Sequence, residues 1–477
     1  MNLKVLKFGG TSMGTPGSLQ QCNKIAVRAA KASKIVVVVS ALGGVTNQLI
    51  ELIELARKQK PKRIAAELNI MEQKHKDMLA HFVAKNDLEE IWQREFANLF
   101  KKLRLILTGT SLVGDITKKS YAIVCSFGEQ LSSRIMCHAL EKAGLQSEQI
   151  DAKRIIRTDS NFLEATVDLK RTKLCSRRTL LPLLEKKITP VVTGFIGKDA
   201  SGQTTLLGRG GSDYTASLVA MSLGAEAVEI WTDVDGIMSA DPRIVKEGVK
   251  TWRSVELPIV AEMAHSGAKV LHPKTITAAV EQNIPVFVKN TFNPSAHGTE
   301  VVQRDSHSLL RGITMDKEQA VFHFAEPGML ATPGFIRHIS EIFEQHNVSI
   351  DACFTSEVSF TCSIHSKHYS KKLHQDLSKI AETTVYRNLA KVCVIGHNIS
   401  KNPDLLAQIM TVLKGNDIYA VSIGTTFHNI TLLIDEEKAD NILRSLHASL
   451  FSSSNETSHP RSNRRSRAGT PAVSARA

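Results

Sequence analysis

Features that mark several protein classes are missing from this chain. Its seven cysteines include no CxxC pair and accompany no His-rich metal spacing, which predicts reduced cytoplasmic thiols and no metal site built by protein side chains. The longest apolar stretch, which starts with residues 35–39, is far too short to span a membrane. Gly9 and Gly10 interrupt the N-terminus, so no signal peptide is expected. A cytoplasmic protein without a membrane partner is therefore predicted.

The motifs of two large enzyme classes are also absent. The sequence contains no Walker A pattern and no GxGxxG fingerprint. These absences argue against a P-loop NTPase and a dinucleotide-dependent enzyme, because each of those folds positions its phosphate with that glycine pattern.

The composition is that of a soluble globular protein. The chain has 477 residues, of which 42% are hydrophobic and 22% are charged, and two or three domains are expected. From Ser452 onward there are five arginines against one acid, and residues 451–477 are predicted to form a disordered basic tail. The positive charge of the remaining chain suits anionic substrates. A nucleic-acid partner is not expected.

The first part of the chain alternates between strands and helices. Residues 3–8 and 34–40 have the pattern of short buried strands that run into glycines. Another strand is predicted to end near Ser126, followed by a helix from Glu129 to Ala143. This alternation predicts an α/β domain over residues 1–295, with a mostly parallel sheet covered by helices on both faces. Ligands of such sheets gather at the carboxyl ends of the strands.

After about Asn290 the pattern changes to two consecutive β-α-β-β units. Repetition of this order predicts a pair of small ferredoxin-like modules. The first module would comprise residues 320–386, and the second residues 307–319 together with 387–450. A single further α+β domain is the alternative interpretation.

Two glycine-rich clusters are candidates for anion binding. In the first, Lys7 ends a strand and residues 8–12 continue as Phe-Gly-Gly-Thr-Ser, so that backbone N–H groups can approach a phosphate. A simple turn is the alternative for this cluster. In the second, residues 208–214 place Arg209 and Asp213 among three glycines before a helix. Arg209 offers a planar fork that suits a carboxylate.

A third cluster is spread over three segments, residues 231–238, 241–243 and 266–273. Its first segment would form a nucleotide pocket after a strand. Lys269 follows a flexible Ser-Gly pair that can present it to a ligand. Each segment taken alone is ordinary loop chemistry.

Together these segments and residues 126–129 closely resemble the aspartate kinases of the amino-acid kinase superfamily. The resemblance covers nearly the whole chain, and the two C-terminal modules resemble ACT domains. It implies ATP-dependent phosphorylation of the side-chain carboxylate of L-aspartate to 4-phospho-L-aspartate, the first step of lysine, threonine and methionine biosynthesis. The closest likeness is to the monofunctional, lysine-sensitive type, because the chain ends before a homoserine dehydrogenase could follow.

The resemblance also implies roles for individual residues. Lys7, Lys269 and Asp213 would be catalytic. Met238 occupies a position where the family has tyrosine, and methionine offers the nucleotide a softer contact. The residues implied in aspartate binding are Thr46, Glu129 and Arg209, and those implied in ATP binding are Lys7, Phe8, Gly9, Gly10, Thr232, Asp233, Met238, Arg243 and Lys269.

Physical chemistry agrees with these roles. The aspartate side chain, with a reference pKa of about 3.9, is already ionised at neutral pH, so no general base is needed. The reaction instead needs charge compensation, which lysines, amides and a Mg²⁺ held mainly by ATP would supply. Arg209 would bind the α-carboxylate of aspartate, and Glu129 its α-ammonium.

The first ACT-like module carries the candidate regulatory site. Asp351 and Glu357 add negative charge there, which would suit the cation L-lysine better than threonine. In the family such segments lie at an interface between modules, which implies a homodimer formed through them. The residues expected at the allosteric site are Met329, Gly334, Ser349, Ile350, Asp351, Thr355, Ser356 and Glu357.

Three other functions remain as alternatives. A kinase for glutamate or acetylglutamate is the nearest, although the tandem modules and Glu129 favour aspartate. An amino-acid sensor with a decayed kinase half would not need both lysines, Arg209 and Asp213. A nucleic-acid-binding role rests on the basic tail alone.

Overall fold

The structure is a computed structural model that describes residues 2–268, 271, 273–303, 309–325, 334–356, 358–423 and 428–451. Three of the predicted site residues, Lys269, Met329 and Glu357, lie outside the described residues. The predicted basic tail also lies outside them from residue 452 onward. Within the described residues, no helix combines the length and the apolar character needed to cross a membrane.

The first part of the chain alternates between strands and helices, as predicted. Its strands are β1 (Leu3–Phe8), β2 (Lys34–Val39), β3 (Ser147–Ile150), β4 (Thr189–Thr193), β5 (Ile196–Lys198), β6 (Thr204–Leu206), β7 (Ala227–Thr232), β8 (Ser254–Glu256), β9 (Val286–Asn290) and β10 (Thr299–Val302). Its helices are α1 (Pro16–Ala30), α2 (Val45–Arg57), α3 (Pro61–Ala80), α4 (Leu88–Ile91), α5 (Ala97–Val113), α6 (Lys118–Lys142), α7 (Leu169–Glu185), α8 (Gly211–Leu223), α9 (Leu257–His265) and α10 (Pro273–Val280).

Eight of these strands form one sheet in the order β3-β4-β2-β1-β7-β9-β10-β8. All neighbours pair in parallel except β9 and β10, while β5 and β6 form a separate antiparallel pair. The mostly parallel sheet confirms the predicted α/β class. Because β1, β2, β4 and β7 run in one direction, the loops that follow them lie at one edge of the sheet.

Alternation along β1 decides which side chains meet which helices. Leu6 and Phe8 belong to the apolar core on one face, whereas Leu3 and Val5 belong to the core on the other, which includes residues of α7 and α8. Lys7 follows Val5 by two positions and therefore faces the same side of the sheet. The alternation of side chains along β1 thus directs Lys7 toward α8.

The predicted strand near Ser126 is wrong. Residues 118–142 form the single helix α6, whose N-terminus is capped by the Thr117 side chain accepting a hydrogen bond from Ser120 N. The apolar residues Val124, Leu131 and Ile135 recur at helical spacing and are buried. That periodicity, rather than the local apolar content, decides the structure. Ser126 and Glu129 are consequently one turn apart on the same helix.

The second part of the chain forms a six-stranded antiparallel sheet in the order β12-β13-β11-β14-β16-β15. Its strands are β11 (Leu310–Ala325), β12 (Ala352–Thr355), β13 (Ser359–His365), β14 (Glu382–Gly396), β15 (Ile418–Ile423) and β16 (Asn429–Asp435). Its helices are α11 (Phe335–Gln345), α12 (Lys371–Leu377), α13 (Pro403–Val412) and α14 (Glu436–Phe451).

Two long strands, β11 and β14, run through the whole of this sheet. Their pairing shifts register at residues 316–321 without ending. One apolar core around Phe322 and Phe324 lies beside α11 and α12, and a second around Val392 and Val394 lies beside α13 and α14. The sheet thus carries two ferredoxin-like units side by side.

Candidate active site

Lys7 and Asp213 form an ion pair at the carboxyl end of β1. Lys7 lies one residue before the end of that strand, and Asp213 lies in the first turn of α8. Lys7 Nζ is 2.6 Å from Asp213 Oδ1, and each residue is only 8% exposed. Removing either partner of a pair this buried leaves an uncompensated charge. The pair therefore fixes the Lys7 ammonium at the edge of the sheet where ligands bind.

Two glycine loops pack against each other beside this pair. Gly9 N–H donates a hydrogen bond to Trp231 O at 3.1 Å, which holds the first loop against β7. A Cβ atom on Gly43 would lie 3.1 Å from Gly10 O, and a Cβ atom on Gly10 would lie 3.4 Å from Ala41 O. A side chain at residue 43 would have to displace the Gly10 carbonyl by a few tenths of an ångström, so glycine favours this close approach of two backbones. The predicted anion loop is thus built together with the loop that follows β2.

Phe8 does not present its ring to this loop. The side chain is fully buried in the apolar core beneath the sheet. Its carbonyl oxygen accepts a hydrogen bond from Ser40 N at 3.1 Å. Any contact of this residue with a ligand is therefore limited to the backbone.

Glu129 is buried within α6 and has one carboxylate oxygen without a partner. Its Oε1 accepts a hydrogen bond from Ala41 N at 3.1 Å, whereas Oε2 has no hydrogen-bond partner among the described residues. Burial raises the pKa of this carboxyl to about 8, although the Ala41 N–H and the charge of Lys7 favour its ionised form. A buried oxygen of this kind is suited to a cationic group of a ligand.

Lys7, Asp213 and Glu129 line a cavity of about 570 Å³. Two other predicted residues, Thr46 and Arg209, line the same cavity. Arg209 is exposed and lies between Gly208 and Gly210, whose φ angles are 75° and 70°. Thr46 lies in the first turn of α2, which has no side-chain cap at its N-terminus. The cavity therefore combines cationic groups for a carboxylate with a carboxyl for an ammonium.

A second cavity, of about 520 Å³, is lined by the predicted nucleotide residues Thr232, Asp233, Met238 and Arg243. The Thr232 hydroxyl donates to Asp233 Oδ1 at 3.0 Å. The Arg243 guanidinium donates to both carboxylate oxygens of Asp241, with a shortest distance of 2.6 Å. Asp241 therefore fixes the orientation of this arginine at the rim of the cavity.

The loop of residues 7–11 connects the two cavities. Lys7 and Gly10 line the first cavity, and Thr11 lines the second. Ligands that occupy both cavities would accordingly approach each other at this loop, where Lys7 supplies a cation on the side of the first cavity. This arrangement allows transfer of an anionic group between them, because the cation and the neighbouring amides offset the repulsion of two negative charges.

The carboxylates of the site fit a magnesium ion that is held mainly by phosphate. Among the residues that the structure describes, no three His, Cys, Asp or Glu side chains cluster closely enough to hold a metal. Asp213 lines the first cavity and Asp233 the second. Magnesium prefers such sites, because it usually keeps several waters and needs only one or two carboxylates beside substrate phosphates.

Those predicted regulatory residues that the structure describes lie in the first ferredoxin-like unit. Gly334 precedes α11 with a φ angle of 91°. Ile350 packs against the core around Phe322, and Asp351 N donates to Ser363 O at 2.8 Å. Ser349 is exposed before β12, while Thr355 and Ser356 lie at its end.

Several residues of the first cavity were missed by sequence reasoning. Tyr121 and Cys125 precede Glu129 by eight and four positions on α6, and both line the cavity. Their spacing of four residues was a usable signal, but the predicted strand near Ser126 hid it. Phe195 lines the same cavity with a φ angle of 71°, and no sequence pattern indicates it.

Comparison with known proteins agrees with this geometry. Residues 2–290 match the amino acid kinase family, and residues 392–450 match an ACT domain. The lysine-sensitive aspartokinase 3 of Escherichia coli is 31% identical over 94% of this chain and 99% of its own length. The chloroplastic aspartokinase 1 of Arabidopsis thaliana is also 31% identical, over 94% of this chain and 80% of its own.

Two solved structures of the Escherichia coli aspartokinase III are similar to this fold. One contains aspartate and ADP in the R-state, with a TM-score of 0.81, 31% identity and coverage of 94% of this chain and 100% of that one. The other contains lysine and aspartate in the T-state, with a TM-score of 0.79, 30% identity and coverage of 94% and 99%.

Proposed function

The chain belongs to the aspartokinases of the amino acid kinase family, and we propose that its two cavities form the centre at which it phosphorylates L-aspartate. ATP, bound with magnesium, donates the γ-phosphoryl group, and the side-chain carboxylate of L-aspartate accepts it to give 4-phospho-L-aspartate. This reaction is the first step of lysine, threonine and methionine biosynthesis. Thr46, Glu129 and Arg209 hold aspartate in the first cavity, and ATP occupies the second.

The reaction requires charge compensation more than proton transfer. The attacking carboxylate is ionised at neutral pH, with a reference pKa of about 3.9, and it must approach a triphosphate. Lys7 stabilises the negative charge that develops on the transferring phosphoryl group, and Asp213 positions Lys7 through their 2.6 Å ion pair. Gly9 and Gly10 add backbone N–H donors. Lys269 is proposed as the second cation on the phosphate.

Recognition of aspartate depends on binding both charged groups attached to its α-carbon, the α-carboxylate and the α-ammonium. Arg209 donates a two-pronged pair of hydrogen bonds to the α-carboxylate. The unpartnered Glu129 Oε2 accepts a hydrogen bond from the α-ammonium. When both groups are bound, the side-chain carboxylate is directed toward Lys7, which orients it for attack.

The nucleotide is held by Thr232, Asp233, Met238 and Arg243, which line the second cavity. Magnesium, when bound, would supply electrostatic stabilisation to the departing diphosphate. Asp213 and Asp233 are the protein groups that would face it.

Regulation by L-lysine is proposed for the first ACT module, comprising residues 320–386. Asp351 supplies negative charge for the lysine side chain, and Met329, Gly334, Ser349, Ile350, Thr355, Ser356 and Glu357 complete the site. Lysine inhibits if it binds the inactive arrangement more tightly than the active one. Calorimetric titration with lysine and with threonine tests this assignment, and binding of threonine without lysine would reverse it.

The remaining proposals concern boundaries, assembly and location. The catalytic domain comprises residues 1–295, the second ACT module residues 307–319 with 387–450, and the tail residues 451–477. A homodimer is proposed through the ACT modules, because the edge strand β15 exposes apolar residues, among them Ile418, Val421 and Ile423. A cytoplasmic location is supported by seven cysteines that are all free. Sedimentation showing a monomer at micromolar concentration would contradict the dimer.

The observation that carries the proposed function is that the loop of residues 7–11 borders both cavities: Lys7 lines the cavity that contains Glu129 and Arg209, and Thr11 lines the cavity that contains Thr232 and Asp233. A hydroxamate assay with ATP and a panel of acids tests it. L-Aspartate should give acyl phosphate, whereas L-glutamate and N-acetylglutamate should not. Turnover with glutamate in place of aspartate would contradict the proposal.

A further inference from the structure

A lysine of helix α3 reaches the loop that borders the first cavity. Lys74 Nζ donates a hydrogen bond to Gly43 O at 2.7 Å. The described residues give this ammonium a carbonyl oxygen as its partner and no carboxylate. Burial in these uncharged surroundings lowers the pKa of Lys74. A charge-assisted bond of this kind is stronger than a bond between neutral groups.

The position of Lys74 is fixed by the buried residues of α3. The next residue, His75, is fully buried, and its Nδ1 lies 2.7 Å from Met71 O. The His75 ring packs edge-on against Phe100 of α5, with ring centroids 5.8 Å apart. Met71 and Leu79 of the same helix are also fully buried. The helix therefore presents Lys74 from a rigid support.

Gly43 occupies the centre of the loop between β2 and α2. A Cβ atom at this position would lie 3.1 Å from Gly10 O and 3.3 Å from Gly14 Cα, so the loop is pressed onto the phosphate-side loop. On its inner side, Ala41 N donates to Glu129 Oε1. Residues 40–42, 44 and 46 of the loop line the first cavity. Lys74 holds the loop from the opposite side.

We propose that Lys74 is a positioning residue for aspartate binding, which acts through the Gly43 carbonyl to hold the loop of residues 40–46 against Gly10 and Glu129. The inference rests on the proposed function and extends it, because it gives the helical segment α2–α5 a part in substrate recognition. Lys74 does not itself line the cavity. Its loss lets the loop, and Thr46 with it, move away from Glu129, which weakens aspartate binding but leaves the nucleotide cavity unchanged.

The test compares three variants of the full chain by steady-state kinetics. Lys74→Met keeps the apolar stem and removes the charge-assisted bond, and should raise the KM for aspartate about tenfold. Its kcat and its KM for ATP should change by less than about twofold. Lys74→Arg, which can still donate to the carbonyl, should recover most of the loss.

Lys142→Met is the matched control. Lys142 Nζ donates to His81 O, also at 2.7 Å but in a more exposed position, and His81 is the C-cap residue of α3. This variant removes a bond of the same length to the end of the same helix without touching the loop, and its KM for aspartate should equal that of the unmodified protein. Thermal unfolding of all variants shows whether each is folded.

The outcomes separate this inference from the proposed function. No aspartate-dependent turnover by the unmodified chain would overturn the proposed function. Normal turnover with an unchanged KM for aspartate in Lys74→Met would overturn the positioning role alone. Equal increases in Lys74→Met and Lys142→Met would also overturn it, because they would reflect general loosening of α3.

Discussion

The side chains of Lys7 and Asp213 meet at a distance of 2.6 Å, although one lies near the end of a strand and the other in the first turn of a helix distant in sequence. The contact follows from two local features. Strand alternation directs Lys7 toward α8, and Gly210, with a φ angle of 70°, is the N-cap residue just before that helix. Asp213 thereby orients the cation before any phosphate arrives, so that little reorganisation is needed during the reaction.

Replacing Asp213 should slow turnover, because the Lys7 ammonium would lose the carboxylate that positions it. Asp213→Asn keeps the shape of the side chain but removes the charge that holds the ammonium, and kcat should fall by about 10²-fold. Glu229→Gln is the comparison, because Glu229 is also a buried acid paired with lysines, at 3.5 Å from Lys4 and 3.2 Å from Lys289. Its kcat should remain near that of the unmodified protein. An equal loss in both variants would indicate a general effect of buried charge.

Aspartate binding should release a proton from Glu129. Burial raises the pKa of this carboxyl to about 8, so the free protein holds it largely protonated at neutral pH, while the ammonium of aspartate favours the ionised form. The KM for aspartate should therefore fall as pH rises from about 7 toward about 8, and level off above that range. The KM for ATP provides the internal reference. Glu129→Gln should raise the KM for aspartate and remove its pH dependence, and a persisting dependence would exclude Glu129 as its source.

The two arginines at the cavities should affect different substrates. Arg209→Ala should raise the KM for aspartate by about 10²-fold, because a two-pronged bond to a carboxylate is lost. Arg243→Ala should raise the KM for ATP and leave that for aspartate unchanged. Initial rates measured with each substrate varied in turn give both values. A shared effect on both substrates would show that the cavities are not assigned correctly.

Feedback by lysine should depend on Asp351. Asp351→Asn should increase the lysine concentration needed for half inhibition about tenfold, because the charge that attracts the ligand is removed. Turnover without lysine should not change. Asp376→Asn is the control in the same module, since Asp376 accepts from His346 and Lys379 instead. Inhibition curves for the two variants and the unmodified protein would overlap if Asp351 had no part.

The resemblance grouped Lys7, Glu129, Arg209 and Asp213 into one site. The rule that parallel strands bring their carboxyl ends to one edge covers Lys7 alone, because Glu129 lies within α6 and residues 209–213 follow the separate strand β6. The contact between Lys74 and Gly43 could not be predicted, since a backbone carbonyl has no sequence signature and α3 is distant in the chain. The strand predicted near Ser126 failed for a different reason. The apolar residues before Ser126 resemble a short strand when taken alone. Their helical spacing can be recognised only over the full length of α6.

The most direct measurement is the rate of aspartyl hydroxamate formation by Lys7→Met at saturating ATP and aspartate. Lys4→Met is its control, because Lys4 lies on the same strand but pairs with Glu229. If Lys7 offsets the repulsion between carboxylate and triphosphate, kcat should fall at least about 10²-fold in Lys7→Met, with the KM for ATP changed by less than about threefold. Turnover of Lys7→Met equal to that of Lys4→Met would contradict the mechanism.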